Sequence, residues 1–256
     1  MNFKEMHYQA APLLICNVWD AASARAAEGA GFSAIATSSY AIAGMLGYRD
    51  GEELTFDELY YIVRRIAAVT KLPFSVDIEA GYSRDAGGVI ANIGRLAELG
   101  VVGVNIEDSR VDGSRGLVEA EAFAQTITAV KACLAKAGRD IFLNVRTDPF
   151  LLGHDNAREE TIRRGQLYAQ AGADGLFAPC IVKPEDIEAV VGAVRLPLNV
   201  LSLPQLPAFN ALQALGVKRI SMGNALFDRQ QELLKARLLA VREVQSVAPM
   251  FASGAA

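Results

Sequence analysis

The chain has 256 residues, of which 52% are hydrophobic and 21% are charged, a composition typical of a globular protein with a large core. Its formal charge is −4, and its Lys and Arg residues are evenly scattered, which excludes the basic stripe of a nucleic-acid-binding protein. No apolar run approaches the roughly twenty residues of a membrane span, so we predict no membrane partner.

The cysteines and the first residues of the chain indicate a cytoplasmic protein. Cys16, Cys133 and Cys180 lie far apart without CxxC spacing, so they predict reduced thiols and neither a disulfide framework nor a zinc site. The apolar patch near the start is interrupted by Asn17 and Asp20, too soon for a signal peptide.

Short runs rich in Val, Ile, Leu and Phe alternate along the chain with longer stretches rich in Ala, Leu and Glu. The runs predict eight strands, at residues 13–19, 32–39, 73–79, 101–107, 141–147, 173–179, 196–202 and 217–223. The stretches predict helices at residues 20–31, 55–72, 86–100, 120–138, 155–172, 183–194, 204–216 and 224–244.

Continuous apolar strands separated by helices indicate a parallel sheet that is covered on both faces or closed on itself. Eight such units match the number in a (β/α)₈ barrel, whose usual size is about 250 residues. A doubly wound open sheet is the alternative, but no glycine-rich phosphate loop follows the first strand. Since no linker interrupts the pattern, we predict an α/β fold with a single (β/α)₈ TIM-type barrel domain over residues 1–256.

Polar side chains cluster at the carboxyl ends of the predicted strands, where chemistry takes place in such barrels. Asp77 and Glu79 end the third strand, and the alternation of side chains predicts that they share a face. Glu107 ends the fourth strand and Arg146 the fifth. We therefore expect three carboxylates and one guanidinium to meet at the barrel mouth.

A carboxylate-rich site with oxygen ligands favours a hard divalent cation, and we predict Mg²⁺ held by these three carboxylates and by water, with Mn²⁺ as the alternative. Zinc is disfavoured because the two histidines, His7 and His154, do not end strands. The structural alternative is an ion-pair network with Arg146 that only stabilises the barrel. Three carboxylates on neighbouring strands favour the functional interpretation.

A small-residue stretch at residues 40–51 follows the second strand and predicts a loop. Its backbone N–H groups would bind an anion, or the loop would act as a flexible lid. No lysine lies at the carboxyl end of a strand for Schiff-base chemistry, and no histidine is placed for a Ser–His–Asp triad.

Seven motifs resemble, in order, those of the isocitrate lyase/phosphoenolpyruvate mutase superfamily. They are NVWDAASA, TSSYAIAGMLGYRDG, VDIEAGYS, GVNIEDS, LNVRTD, PLNVLS and VKRISMGNAL, and they run from residue 17 to residue 226. The resemblance implies an enzyme that binds Mg²⁺ and a small α-keto acid at the mouth of a (β/α)₈ barrel. Such enzymes make or break C–C or P–C bonds through a metal-stabilised enolate.

The same resemblance implies roles for individual residues. Asp77 would be the closest metal ligand, and Glu79 and Glu107 would follow it, directly or through water. The catalytic residues it implies are Asp50, Glu107 and Arg146, and the substrate-binding residues are Trp19, Ser39, Tyr40, Ala41, Asp77, Arg146 and Asn199.

The loop after the fourth strand departs from the superfamily pattern. The lyases carry Lys-Lys-Cys-Gly-His there, and the mutases and phosphonopyruvate hydrolases carry a lysine and an asparagine. Residues 107–121 contain no Lys, Cys, His or Asn and offer only Arg110, Ser114 and Arg115. A reaction that needs little beyond metal and enolate stabilisation fits best.

We therefore predict a Mg²⁺-dependent lyase-type enzyme acting on a small α-keto or dicarboxylic acid. Its reaction would be decarboxylation of a β-keto acid such as oxaloacetate, or cleavage of a related C–C bond with water, Arg110 or Arg115 in proton transfer. The alternatives are a P–C mutase or hydrolase of the phosphonopyruvate type, and a keto-acid-binding protein that has lost catalysis.

The resemblance also implies a homo-oligomer, a tetramer or a dimer, because superfamily members usually exchange their C-terminal helices. Residues 224–244 would then pack on a neighbouring subunit. The other packing left open by the sequence makes this segment the eighth helix of the chain's own barrel.

Overall fold

The computed structural model describes residues 1–251. Its strands are β1 (Leu13–Val18), β2 (Ile35–Thr37), β3 (Phe74–Asp77), β4 (Gly103–Glu107), β5 (Ser109–Asp112), β6 (Ser114–Leu117), β7 (Phe142–Arg146), β8 (Gly175–Phe177), β9 (Leu198–Leu201) and β10 (Arg219–Ser221). Eight of them lie side by side, all parallel, and close into a barrel in the order β1-β10-β9-β8-β7-β4-β3-β2.

Helix α1 (Phe3–Met6) precedes the first strand, and the helices that surround the barrel follow its strands. The helices after α1 are α2 (Ala21–Gly29), α3 (Ser39–Leu46), α4 (Phe56–Ala67), α5 (Ala86–Glu98), α6 (Ala120–Lys136), α7 (Ala157–Gln170), α8 (Pro184–Ala193), α9 (Phe209–Ala214), α10 (Ala225–Val244) and α11 (Ala248–Phe251). The prediction of a (β/α)₈ TIM-type barrel is confirmed. Residues 252–256, which the predicted domain includes, lie outside the described residues.

Helix α4 shows how the apolar pattern attaches the outer layer to the barrel. Thr55 caps its first turn by accepting a hydrogen bond from the backbone N–H of Glu58, at 3.3 Å. Leu59, Val63 and Ile66, spaced one helical turn apart, are fully buried. Burial of each such side chain stabilises the fold by about 1.5–3 kcal/mol.

The pairing of β4 with β7 positions the polar residues of the mouth. Gly103 pairs with Phe142, and the register continues until Glu107 lies opposite Arg146. Val104 and Ile106, between the polar positions of β4, are buried. Because side chains alternate along a strand, the apolar residues pack against the helices while the polar ones face the barrel interior.

The N-terminal segment packs at the opposite end of the barrel. The His7 ring stacks on Phe142 with centroids 4.0 Å apart, and its Nδ1 lies 2.9 Å from the carbonyl oxygen of Phe3. Burial, together with the charge of Arg219, lowers the pKa of His7 to about 3. This histidine is a neutral core residue.

Two segments that the sequence predicted as loops are ordered elements. Helix α3 begins at Ser39, the last residue of the predicted second strand, and runs through residues 40–46 of the predicted small-residue loop. It forms because Ser38 caps the first turn and Ala41, Ile42 and Ala43 bury one side of it. The segment after β4 forms an antiparallel hairpin of β5 and β6, which turns at Gly113 with φ of +74°.

Helix α10 differs from the other long helices because Phe227 is its only buried residue. Phe227 packs edge-on against Trp19 of the chain's own barrel, and packing of the rest of the helix on a neighbouring subunit stays a prediction. No helix within residues 1–251 combines the length and the apolar character required to cross a bilayer.

Candidate active site

Arg146 is the central cation at the carboxyl end of the barrel. Its Nη1 lies 2.9 Å from Oε2 of Glu107, the neighbour that strand register provides. Its Nε and Nη2 donate to the two carboxylate oxygens of Asp148, at 2.6 and 3.0 Å. Burial alone would lower the pKa of Arg146, but the charges of Glu107 and Asp148 outweigh burial and raise it. The side chain therefore stays cationic.

Asp77 and Asp50 approach each other across one hydroxyl group. The Ser39 hydroxyl lies 3.1 Å from Oδ2 of Asp77 and 3.3 Å from Oδ1 of Asp50. Burial raises the pKa of Asp77, and the charge of Arg146 opposes that rise. Two carboxylates this close to one hydroxyl form a site whose charge a cation would neutralise.

Glu79 faces a different set of partners from Asp77. Strand β3 ends at Asp77, and Glu79 adopts a left-handed conformation with φ of +47°, so the alternation that predicted a shared face does not extend to it. Its Oε1 accepts a hydrogen bond from the Tyr82 hydroxyl at 2.7 Å, and its Oε2 accepts one from the backbone N–H of Glu52 at 2.8 Å. Burial and the charge of Asp50 raise the pKa of Glu79 to about 8.

Glu79 thus holds the segment that carries Asp50. Glu52 returns the contact by accepting a hydrogen bond from the backbone N–H of Tyr82, at 2.6 Å. Glu52 and Tyr82 are parts of the site that the sequence did not predict. The one signal for Glu52 was its position two residues after Asp50 in the sequence. Contacts that a side chain makes across a loop leave no periodic pattern in the sequence, so they could not be predicted.

Arg115, on the β5–β6 hairpin, brings a second guanidinium to the mouth. Its Nη2 lies 2.9 Å from Oδ2 of Asp50, and its Nη1 binds Oε1 of Glu107 and lies 3.0 Å from the Ser109 hydroxyl. Burial raises the pKa of Glu107, whereas the charges of Arg146 and Arg115 oppose that rise. Arg115 was visible in the sequence only as one of several polar residues of this segment.

The predicted substrate-binding stretch lies at the beginning of α3. Ser39 and Tyr40 are its first residues, so their backbone N–H groups belong to the open N-terminal turn, where helices bind anions. The N–H of Ala41 is bound instead by the capping hydroxyl of Ser38, at 3.3 Å. The Tyr40 side chain is exposed.

Trp19 and Asn199, the other predicted pocket residues, are buried and contact different parts of the fold. Trp19 packs edge-on against Phe227 of α10, with ring centroids 5.3 Å apart. Asn199 lies inside the barrel, where its Oδ1 accepts a hydrogen bond from Asn144 at 3.0 Å. Asn144 donates in turn to Asn105, at 2.9 Å. This asparagine layer joins β4, β7 and β9 within the barrel.

A buried carboxylate anchors the barrel wall next to Glu107. Oδ2 of Asp108 accepts hydrogen bonds from the Thr147 and Tyr168 hydroxyls, each at 2.6 Å, and pairs with Arg164 at 2.9 Å. Burial raises the pKa of Asp108, while these partners lower it. Asp108 therefore fixes the ends of β4 and β7 against α7.

The donors at the mouth fit a hard cation that keeps most of its waters. Among residues 1–251, no group of three His, Cys, Asp or Glu side chains is arranged to hold a metal ion. Mg²⁺ is usually held by only one or two carboxylates together with water and substrate, and Asp77 with Asp50 supplies such a pair. Of the predicted ligands, only Asp77 belongs to this pair. Glu79 and Glu107 have oxygens in contact with neighbouring groups of the chain, and Asp50, predicted as a catalytic residue, also pairs with Arg115.

Chemically, the mouth offers two guanidinium groups, an open helix N-terminus and a pair of carboxylates. The guanidinium groups and the helix N-terminus bind carboxylate or phosphonate oxygens. Cations fixed beside a reacting centre also stabilise negative charge that develops during a reaction.

The sequence is similar to a known protein family and to individual proteins over most of its length. Residues 3–242 match the family described as phosphoenolpyruvate phosphomutase. The chain is 34% identical over 228 residues to an uncharacterized protein of Mycobacterium tuberculosis H37Rv, which covers 89% of this chain and 84% of that relative. It is 31% identical over 236 residues to oxaloacetate decarboxylase of Paraburkholderia xenovorans, which covers 89% and 77%.

The fold also superposes on a solved structure, that of a phosphonopyruvate hydrolase in complex with oxalate and Mg²⁺. The TM-score is 0.84 at 24% identity, and the superposition covers 95% of this chain and 87% of that chain. This likeness concerns the fold.

Proposed function

The chain belongs to the phosphoenolpyruvate phosphomutase family, whose members are lyases or mutases, and we propose that it is a Mg²⁺-dependent lyase acting on a small α-keto acid or dicarboxylic acid. Mn²⁺ is the alternative metal, since both ions prefer oxygen ligands.

One arrangement carries the proposal. Asp77 and Asp50 flank the Ser39 hydroxyl at the beginning of α3, and Arg146 stands as a buried cation on the same barrel mouth. A metal-binding carboxylate pair, an anion-binding helix N-terminus and a fixed cation are what a keto acid requires for binding and for charge stabilisation.

The residues of the mouth would divide substrate binding and charge stabilisation between them. The backbone N–H groups of Ser39 and Tyr40 would bind the substrate carboxylate, while Arg146 would stabilise the negative charge that develops on the keto oxygen as the neighbouring bond breaks. Asp148 and Glu107 orient Arg146 by binding three of its nitrogen positions. Trp19 and Asn199 would support the pocket from the barrel wall.

Mg²⁺ would be held by Asp77 and Asp50, with Glu79 and Glu107 acting through water. When bound, the ion would supply a Lewis-acid charge to the substrate oxygens.

The reaction we favour is decarboxylation of a β-keto acid such as oxaloacetate, or cleavage of a related C–C bond. The β5–β6 hairpin contains no Cys, His or Lys, so groups that a more demanding cleavage uses for proton transfer are missing from it. Similarity to an oxaloacetate decarboxylase supports this choice. Water, Arg110 or Arg115 would then take part in proton transfer.

P–C bond chemistry of the phosphonopyruvate type is the second candidate. The fold superposes on a phosphonopyruvate hydrolase, and the guanidinium groups of Arg115 and Arg146 suit a phosphonate. The absence of a lysine in the hairpin makes it the weaker choice.

The test is isothermal titration calorimetry with oxalate, which mimics the enolate of a keto acid, in the presence and absence of Mg²⁺. We expect oxalate to bind wild type only with the metal and to lose binding in Asp77→Ala. Asp57→Ala is the matched control, because it removes an exposed carboxylate that pairs with Arg95 on the outer helices.

Binding that requires both Mg²⁺ and Asp77 would support the proposal, and turnover of oxaloacetate against phosphonopyruvate would then separate the two candidate reactions. Oxalate binding that is unchanged by a chelator, or no binding to wild type at all, would contradict it.

We further propose that the enzyme is a cytoplasmic homo-oligomer, a tetramer or a dimer. The supporting observations are the exposed leucines of α10 and an apolar groove lined by Trp19, Ala22, Ala26 and Phe32, which would receive a second copy's helix. The three cysteines carry no disulfide within residues 1–251. We propose no membrane or nucleic-acid partner.

A further inference from the structure

Glu107 holds two guanidinium groups side by side. Arg146 binds its Oε2 and Arg115 binds its Oε1, so the cations flank a single carboxylate at the barrel mouth. The side chain of Arg146 is 14% exposed and that of Arg115 is 17% exposed. Both are therefore fixed in place and still accessible from the mouth.

Arg146 already pairs with two carboxylates of the mouth, those of Glu107 and Asp148. It binds Glu107 through one nitrogen and Asp148 through two. Arg115 additionally pairs with Asp50, so its known partners all lie on Nη1 and Nη2, and a further role depends on the edge that these contacts leave over.

The geometry of Arg115 leaves one edge of its guanidinium for a ligand. The contacts with Glu107, Ser109 and Asp50 use Nη1 and Nη2, and no hydrogen bond within residues 1–251 uses Nε. Nε and the neighbouring Nη2 form one of the forked edges with which arginine binds a carboxylate through two parallel hydrogen bonds.

We propose that Arg115 binds a second carboxylate of the substrate and so makes the enzyme selective for dicarboxylic acids. This inference rests on the proposed function, in which the first carboxylate lies at the beginning of α3. The proposal concerns binding alone, and it makes Arg115 a specificity-determining residue.

The location of Arg115 gives this selectivity a physical basis. It sits on the hairpin that borders the mouth, 65 residues along the chain from Asp50, and reaches the same carboxylate as Arg146 from the opposite oxygen. A substrate with one carboxylate would leave Arg115 without a ligand. A dicarboxylic acid would place its far carboxylate against the Nε edge.

The experiment compares matched ligands by calorimetry at saturating Mg²⁺. Each pair differs by a carboxylate in place of a methyl group: 2-oxoglutarate with 2-oxovalerate, and malate with 2-hydroxybutyrate. Oxalate, which is too short to reach a second subsite, serves as the reference for the first one. The variants are Arg115→Gln, Arg115→Lys and the control Arg158→Gln, which changes an exposed arginine of α7 outside the mouth.

In wild type we expect at least one dicarboxylic acid to bind more tightly than its methyl partner. Arg115→Gln should weaken that dicarboxylic acid about tenfold to a hundredfold, the usual loss for a hydrogen bond to a charged group. Oxalate and the methyl partners should change less than twofold. Arg115→Lys keeps the positive charge but lacks the forked guanidinium, so its affinity should fall between those of wild type and Arg115→Gln. Arg158→Gln should match wild type.

Three outcomes would overturn the inference while leaving the proposed function intact. In the first, wild type binds neither dicarboxylic acid more tightly than its methyl partner. In the second, Arg115→Gln leaves all affinities unchanged. In the third, Arg115→Gln weakens the binding of oxalate as much as that of the dicarboxylic acid. The last would mean that Arg115 only supports Glu107 and Asp50. If oxalate failed to bind wild type, the proposed function would fail first.

Discussion

The hydroxyl oxygen of Thr37 accepts a hydrogen bond of 2.7 Å from the backbone N–H of Asp77. Thr37 ends β2, Asp77 ends β3, and the Thr37 side chain is fully buried. The bond therefore fixes the end of the strand that carries the proposed metal ligand, without itself reaching the substrate.

Replacing Thr37 with Val should destabilise the protein. Val keeps the shape of Thr but leaves the buried N–H of Asp77 without an acceptor, which costs about 1–3 kcal/mol of unfolding free energy. Thr37→Ser restores the hydroxyl and should recover most of that loss. Urea unfolding of the three proteins measures both effects, and equal stability of Val and Ser variants would contradict the assignment.

Arg146→Lys should weaken oxalate binding at least tenfold at saturating Mg²⁺. Lysine keeps the positive charge but cannot bind both oxygens of Asp148 while also pairing with Glu107, as Arg146 does. Calorimetry gives the affinity, and circular dichroism checks that the fold persists.

The control for this variant is Arg158→Lys, which changes an exposed arginine of α7 that pairs with Glu159. Its oxalate affinity should equal that of wild type. If Arg146→Lys bound oxalate as tightly as the control, Arg146 would be a structural ion-pair residue only.

His7 should make the stability of the fold depend on pH. Its pKa is about 3 in the folded protein against an ordinary value of 6.5, so between these values the unfolded chain binds a proton that the folded chain does not. The free energy of unfolding therefore falls as the pH falls. From pH 7.5 to pH 5, this histidine alone should account for a loss of about 2 kcal/mol.

Urea unfolding at both pH values, in wild type and in His7→Phe, isolates the contribution. The variant loses the bond to Phe3 at both pH values alike, but it should show a smaller difference between them. His154→Gln removes the exposed histidine and should keep the wild-type difference. Identical pH dependence in all three proteins would mean that the pKa of His7 is not lowered in the fold.

The barrel was predictable because its strands are continuous apolar runs. The run at residues 141–147 contains β7 (Phe142–Arg146), and each of the other barrel strands likewise lies within a predicted one. The pairing of Glu107 with Arg146 also follows from sequence, since both end neighbouring strands and face the interior.

The parts that the sequence did not predict depend on contacts between distant segments. Arg115 reaches Asp50 because a hairpin folds back over the mouth, and Glu52 reaches Tyr82 across 30 residues. Glu79 departs from strand alternation because β3 has already ended. Loop paths of this kind are set by tertiary packing, which leaves no period in the sequence.

The exposed face of α10 leads to the last prediction. Leu234 and Leu238 are one helical turn apart, and they are 52% and 61% exposed on a helix that buries only Phe227. Exposed leucines along a long helix are costly in water and are typical of a face covered by another chain.

We therefore expect the wild type to be oligomeric, and the double variant Leu234→Glu with Leu238→Glu to dissociate because it places charges in that interface. Light scattering during size-exclusion chromatography measures the masses, with Lys235→Glu as a charge control on the same helix. A monomeric wild type would remove the proposal of a homo-oligomer, and a double variant with the wild-type mass would place the interface elsewhere on the molecule.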